Sequence, residues 1–196
     1  MRDHETLDLF RQHEDDSPRV IAGTGHRPEK IQIGDANAYD PRVAVHLREF
    51  ACEHLMSLQA DEVISGMALG WDTALAEAAR DMDIQYHAYI PFRGQEDRWP
   101  ATAQDRYRKL LNDASSVVVV NSGGYATWKM HARNAAMVDN ASRILALYSG
   151  SRGGTAACVR LAKKRGVPVT NVWEAWIERS RELEIALEGD LRTPRR

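Results

Sequence analysis

The residues with chemistry in them sit in glycine-rich stretches, each of which follows a short apolar run. GTGHRP sets Gly23, Thr24 and Gly25 beside His26 and Arg27, two side chains that donate to an anion, next to glycines that allow tight or left-handed turns. SGMALGWD places Ser65, Gly66 and Gly70 ahead of Asp72, a carboxylate suited to capping the next helix, to meeting a ribose hydroxyl or to catalysis. SGSRGGT repeats the pattern, with Ser151, Gly153, Gly154 and Thr155 opening another helix. Helix starts carry free N–H groups and partial positive charge, and small residues let an anion approach them. The chemistry these stretches point to is phosphate recognition by backbone N–H groups and arginine. The first stretch is no dinucleotide fingerprint, because Pro28 stands where a third glycine would fall and no acidic residue closes the second apolar run. A Gly-Lys-Ser/Thr run is also missing from the sequence. Hydride transfer and a lysine–magnesium clamp are therefore disfavoured, and the pattern calls for no metal and no cofactor.

Further candidates lie outside these stretches. Arg133 by itself reads as a helix-surface arginine, and Asn134 and Asp139 are placed to orient ribose hydroxyls or simply to bond along their helix. Phe92, Trp99, Trp71 and Tyr125 fall in or beside the same loops and are candidates for stacking on a base or for core packing. Met130 and Met137, at helical spacing, read as core. His46, His54 and His87 have no partners in sequence and receive no role. Cys52 and Cys158 read as reduced thiols rather than as a disulfide framework or a zinc site.

Positioning these residues requires strands that alternate with helices. Apolar or β-branched runs at 19–22, 62–64, 84–90, 116–120, 143–148 and 167–172 read as strands. Stretches at 41–58, 72–82, 101–112, 128–140 and 155–165 have helical spacing. The alternation implies an α/β fold of Rossmann-like build: a doubly wound, mainly parallel sheet of about six strands, flanked by helices, with its crevice at the carboxyl ends of the strands. The unbroken apolar character of Val117 to Val120 predicts a strand covered on both faces. Trp173, Trp176, Ile177, Leu183 and Leu187 mark a C-terminal amphipathic helix that either packs on the sheet or makes a dimer contact. The expected organisation is a mobile segment over 1–18, one domain over 19–190 and a mobile tail over 191–196.

With 196 residues, 43% hydrophobic and 28% charged, the chain can bury one sizeable core. Its formal charge of -2, from 26 basic and 28 acidic residues, gives no general field to hold a polyanion, which disfavours nucleic acid as a partner. The first residues are charged throughout, unlike a signal peptide, and no apolar run is long enough to span a membrane. The expectation is a soluble cytoplasmic protein with no membrane partner.

From Trp128 to Thr155 the sequence resembles the SLOG superfamily, which joins Smf/DprA proteins with the cytokinin-activating LOG phosphoribohydrolases. Met130, His131, Arg133, Ala135 and Met137 match the Met-His-Glu-Arg-Lys-Ala-x-Met helix of the LOG enzymes, while Ala132 and Asn134 depart from it. The chain is more similar still to the YpsA-like branch, at GTGHRP, SGMALGWD, IPFRGQEDRWP, RNAAMVD and GSRGGT. The resemblance implies a Rossmann-like fold for a nucleotide-type ligand, a phosphate-binding role for Arg133, and a homo-oligomer. It also implies a difference from the LOG enzymes, because Cys158 stands at the position of their catalytic glutamate, and Ser151 and Arg152 replace two of their loop glycines. A neutral thiol activates water poorly. The expected function is thus binding of a phosphate-bearing nucleotide or derivative, ADP-ribose-like for example, as sensor, reservoir or scavenger. The alternative is an N-glycosidase in which Asp72, Asp139 or Glu96 replaces the glutamate alongside Arg133. Single-stranded DNA binding, as in the DprA branch, ranks third because the composition carries no basic track.

Overall fold

The computed structural model describes residues 17–192, with side chains through residue 184. The mobility expected of 1–18 and 191–196 thus falls on segments mainly outside the described residues. The chain runs through β1 (Val20–Gly25), a 3-10 turn (Pro28–Lys30), a small hairpin of β2 (Gln32–Ile33) and β3 (Ala36–Asn37), α1 (Pro41–Ser57), β4 (Glu62–Ser65), α2 (Trp71–Asp81), β5 (Gln85–Ile90) and α3 (Ala101–Asp113). It continues through β6 (Ser116–Val119), α4 (Thr127–Asp139), β7 (Arg143–Leu147), α5 (Gly154–Lys164), β8 (Val169–Asn171) and α6 (Trp173–Arg192). Each element read from periodicity is present, with ends shifted by a residue or a few. The β2–β3 hairpin has strands too short to leave a pattern in the sequence.

Six strands form one parallel sheet in the order β6-β5-β4-β1-β7-β8. The chain winds outward from β1 through β4 and β5 to β6, then returns to lay β7 on the other side of β1. Neighbouring crossovers therefore diverge between β1 and β7, and their loops part there to leave a crevice at the carboxyl ends. One core layer lies under α1, α2, α3 and α6 and includes Leu47, Phe50, Trp71, Leu75, Tyr107 and Trp176; the other lies under α4 and α5 and includes Ile64, Met137, Val138 and Cys158.

Local chemistry fixes the helices that matter. Asp40 caps α1, accepting from the Arg42 backbone N–H at 2.8 Å, and Pro41 takes the first helical position where a missing N–H costs nothing. The stripe of α6 is spent inside the domain: Trp176 is fully buried, its ring 5.4 Å from that of Phe50, and Trp173, Ile177 and Leu183 pack against the same core. Through Leu183 this helix packs on its own domain, and Leu187, the last residue of the expected stripe, lies outside the described side chains. The strand at Ser116–Val119 departs from expectation as well. It is the edge of the sheet, with Val117 43% and Val118 37% exposed, because among the described residues no strand pairs beyond it.

Candidate functional site

The crevice at the switch point is a cleft of about 430 Å³ formed by the loops after β1 and β7, the start of α2 and one face of α4. Thr24, Gly25, His26, Arg27, Asp72, Arg133, Asn134, Ser151, Gly153, Gly154 and Thr155 line it, all of them candidates from the sequence. Glu29, Lys30, Ala68, Met130 and Arg152 complete the wall. Lys30 adjoins the first motif and Arg152 lies inside the third, though neither was singled out as a ligand, and Met130, expected in the core, lines the cleft instead.

At its centre lies a buried ion pair. Arg133 is 7% and Asp72 5% exposed, and Arg133 Nη1 stands 3.4 Å from Asp72 Oδ2 while also donating to the Gly66 carbonyl. The Arg133 Nε is buried without a hydrogen-bond partner. An orphaned guanidinium donor in a cleft is costly unless a ligand completes it. Burial pushes the Asp72 carboxyl up, opposed by Arg133, by Arg27 and by backbone hydrogen bonds from Ala68 and Gly25. Burial pulls the Arg133 guanidinium down, and Asp72 opposes that shift. Each charge is tolerable because the other is present. Asp72 is therefore not the helix cap that its position in sequence suggested. The α2 cap is Gly70, which makes no side-chain bond, and Asp72 sits inside the first turn facing the cleft.

The two anion loops are tied together at the mouth. His26 Nε2 accepts from the Ser149 backbone N–H at 2.9 Å and lies 2.8 Å from Ser149 Oγ. Ser149 Oγ reaches Ser151 Oγ at 3.2 Å, and Lys30 Nζ donates to Ser151 Oγ at 3.0 Å. Behind His26 stands Trp173, edge-on at 5.0 Å between ring centroids. Asn171 holds the other side of the loop through the backbone N–H and carbonyl of Tyr148. Thr155 Oγ1 donates to the Gly25 carbonyl at 2.9 Å, binding the start of α5 to the end of β1. Gly153 adopts φ +146°, a conformation that other residues rarely take, and releases the first N–H groups of α5 toward the cleft.

Other candidates act behind the wall rather than on it. Gly23 and Gly25 belong to β1 and make no left-handed turn; they are needed because Leu75 and Trp71 of α2 occupy the space a Cβ would take. Gly70, at φ +96°, lies against the His26 carbonyl for the same reason of close approach. Ser65 is fully buried and donates to the Asp72 carbonyl, while Gly66 leaves room for Arg133. Phe92 is buried away from the cleft beneath Lys129 and Tyr125. Trp71 is a core residue donating to the Leu145 carbonyl, Trp99 packs on Tyr107, and Tyr125 is exposed outside the cleft wall. Asp139 is at the far end of α4, paired with Arg165, and has no part in the cleft. Glu96 also lies off the wall, with Oε2 buried and unpartnered. Cys158 is 1% exposed beneath the cleft, its thiol pushed up by burial and hydrogen-bonded to the Thr24 side chain.

Fold and cleft together define a Rossmann-like domain with a cation-lined crevice at the switch point of a parallel sheet. The chain belongs to the YspA SLOG family, whose model (YpsA) matches residues 21–166. YoqJ, an uncharacterized SPbeta prophage-derived protein of Bacillus subtilis (strain 168), is 31% identical over 118 residues, which cover 52% of this chain and 68% of YoqJ. A UPF0398 protein of Brevibacillus brevis (strain 47) is 25% identical over 133 residues, 63% of this chain and 70% of that protein. Among solved structures, DNA processing protein A of Helicobacter pylori, described for its single-stranded DNA binding mode, superposes with a TM-score of 0.55 at 17% identity, covering 89% of this chain and 82% of that one. At that identity the likeness is one of fold. Among the described residues no helix is long and apolar enough to cross a membrane.

Proposed function

We propose that the cleft binds a phosphate-bearing nucleotide or nucleotide derivative, ADP-ribose-like in its chemistry, and that the protein acts as its sensor, reservoir or scavenger. The observation that carries this reading is the buried Arg133, which lines a cleft with Arg27, Lys30 and Arg152 at its rim and whose Nε is buried without a hydrogen-bond partner. Four cations face two carboxylates there, Glu29 and Asp72, so the cleft favours an anion although the chain as a whole is slightly acidic. Phosphate suits the α5 N-terminus and the arginines, and ribose hydroxyls suit Asp72 and Asn134. Native mass spectrometry of the purified protein, alone and with a panel of nucleoside monophosphates, nucleoside diphosphates and ADP-ribose, tests it. Stoichiometric retention of one panel class supports the reading, and no retention of any phosphorylated compound at micromolar concentration overturns it.

A second reading, cleavage of an N-glycosidic bond, is favoured by Asp72 itself: a buried carboxylate with its pKa raised, beside Arg133, in the cleft. Such a group is suited to proton transfer. Cys158, at the position where the LOG enzymes have a glutamate, lies too deep and too neutral to share that work.

A further inference from the structure

At the opposite end of the sheet from the cleft, three neighbouring strands place a row of polar side chains on one face. His87 of β5 pairs in register with Ser116 of β6 and Ile64 of β4, and Glu62 lies two residues before Ile64 on the same face. The Ser116 Oγ is 2.8 Å from His87 Nδ1, and His87 Nε2 is 3.0 Å from Glu62 Oε2. A carboxylate at Nε2 keeps the ring proton there, so the Nδ1 lone pair is left to accept from the Ser116 hydroxyl. Hydroxyl, base and orienting carboxylate are the parts of an activated nucleophile. Here the two ring nitrogens exchange their usual roles.

The surroundings suit an acyl group. The His87 and Glu62 side chains are 22% and 34% exposed, so reactants can reach the row. Tyr89 and Val118, the next residues along that face, offer an apolar bench beside Ser116, and Val118 is exposed. Because β6 is an edge strand and the Val120 N–H reaches back to the Ile90 carbonyl, strand alternation turns the Val117 N–H away from β5. A backbone donor adjoining the nucleophile is the kind of group that stabilises an oxyanion.

We propose that Ser116 is a base-activated nucleophile and that Ser116, His87 and Glu62 form a second site, apart from the cleft, for small carboxylic esters with an apolar acyl group. Ser116 Oγ bonds to the acyl carbon as His87 Nδ1 takes its proton, with the imidazolium balanced by Glu62. The ester C–O bond then breaks and the leaving alcohol carries that proton away. Water, deprotonated by the same nitrogen, releases the carboxylic acid and restores Ser116.

The full chain is treated with an alkyl fluorophosphonate, whose P–F bond breaks as Oγ bonds to phosphorus, and separately with p-nitrophenyl butyrate. Peptide mapping is expected to find the phosphonyl group on Ser116. Ester hydrolysis above buffer is expected to fall about 10²-fold in Ser116→Ala and in His87→Gln, the scale of a lost nucleophile or general base, and to stay unchanged in Lys109→Ala, at an exposed position of α3 outside both sites. Matching thermal melts of wild type and variants exclude unfolding as the cause. Absence of label from Ser116 in the wild type, or wild-type hydrolysis by a folded Ser116→Ala, overturns the proposal.

Discussion

The Ser149 backbone N–H donates to Nε2 of His26, so the loop after β7 is fastened to the loop after β1 through the unprotonated nitrogen of a buried imidazole. Burial, and then Lys30, pulls the His26 pKa below its ordinary 6.5. In the unfolded chain the ring takes up its proton as pH falls through about 6.5, while the folded chain resists it. The contribution of His26 to stability is therefore full above that pH and is lost between it and the lower folded value. Urea midpoints should drop from pH 7.5 to pH 5.5, and should drop less in His26→Gln, which still offers an acceptor but does not titrate. His54, also depressed by burial, leaves a common background in both proteins. An identical drop in the two would remove His26 from the account.

Gly154 shows how a site residue can be exchanged without disturbing the fold. A Cβ there meets nothing within 4 Å. Gly154→Asp should fold, and an acidic side chain in the first turn of α5 should stabilise that helix by about 0.3–1 kcal/mol. The same carboxylate occupies the phosphate position, so calorimetric affinity for the phosphorylated panel should fall more than tenfold while the melting temperature holds or rises. Unchanged affinity in the folded variant takes the α5 terminus out of the site.

Arg133 requires a paired design because it is both ligand donor and counter-ion. Removing it alone leaves Asp72 buried and unpaired, at a cost of about 3–5 kcal/mol, so Arg133→Ala should lose stability as well as ligand. The double variant Arg133→Ala/Asp72→Ala should regain most of the stability and none of the affinity. Arg133→Lys should stay folded and bind more weakly by about 1.5–3 kcal/mol, since a lysine cannot reproduce the donors at Nη1 and Nε together. Isothermal titration and urea melts on the same preparations separate the two effects. Wild-type affinity in a folded Arg133→Lys would make the free Nε irrelevant.

Periodicity carried the fold because its strands and helices bury whole faces, and a buried face leaves its spacing in the sequence. The cleft was legible where glycines precede helices, at Gly25, Gly153 and Gly154. It was not legible in Lys30 and Arg152, whose role comes from two loops meeting across the switch point between β1 and β7. Asp72 was visible as a carboxylate but not as the partner of Arg133, sixty-one positions away. His87 had no partner in sequence because Glu62 and Ser116 reach it only through strand pairing. Val117 and Val118 misled for the reverse reason: β-branched side chains suit any strand, and only the topology decides which strand is the edge.

The choice between binder and glycosidase turns on whether a carboxylate in the cleft can act on a bound ligand. Burial pushes the Asp72 carboxyl up, and Arg133, Arg27 and backbone hydrogen bonds oppose that shift and fix the group in place. Cys158, which the resemblance sets against the LOG glutamate, is sealed under Thr24 with its thiol neutral. With Asp72 committed to a counter-ion, Glu29 accepting from the Tyr39 hydroxyl and the Cys158 thiol neutral, the cleft is poorly equipped to deliver water to an anomeric carbon. Wild-type protein incubated with nucleoside monophosphates should therefore yield no free base above a heat-denatured control, by chromatography of base and ribose phosphate. Cys158→Glu places a carboxylate at 1% exposure in a packed layer, so it should lose stability, by the few kcal/mol of an unpaired buried charge, before it gains turnover. The decisive comparison is accordingly wild type against Asp72→Asn. Release of base by the wild type, abolished in a folded Asp72→Asn but retained in Gln59→Ala on the far surface, would establish the glycosidase and set the binder aside.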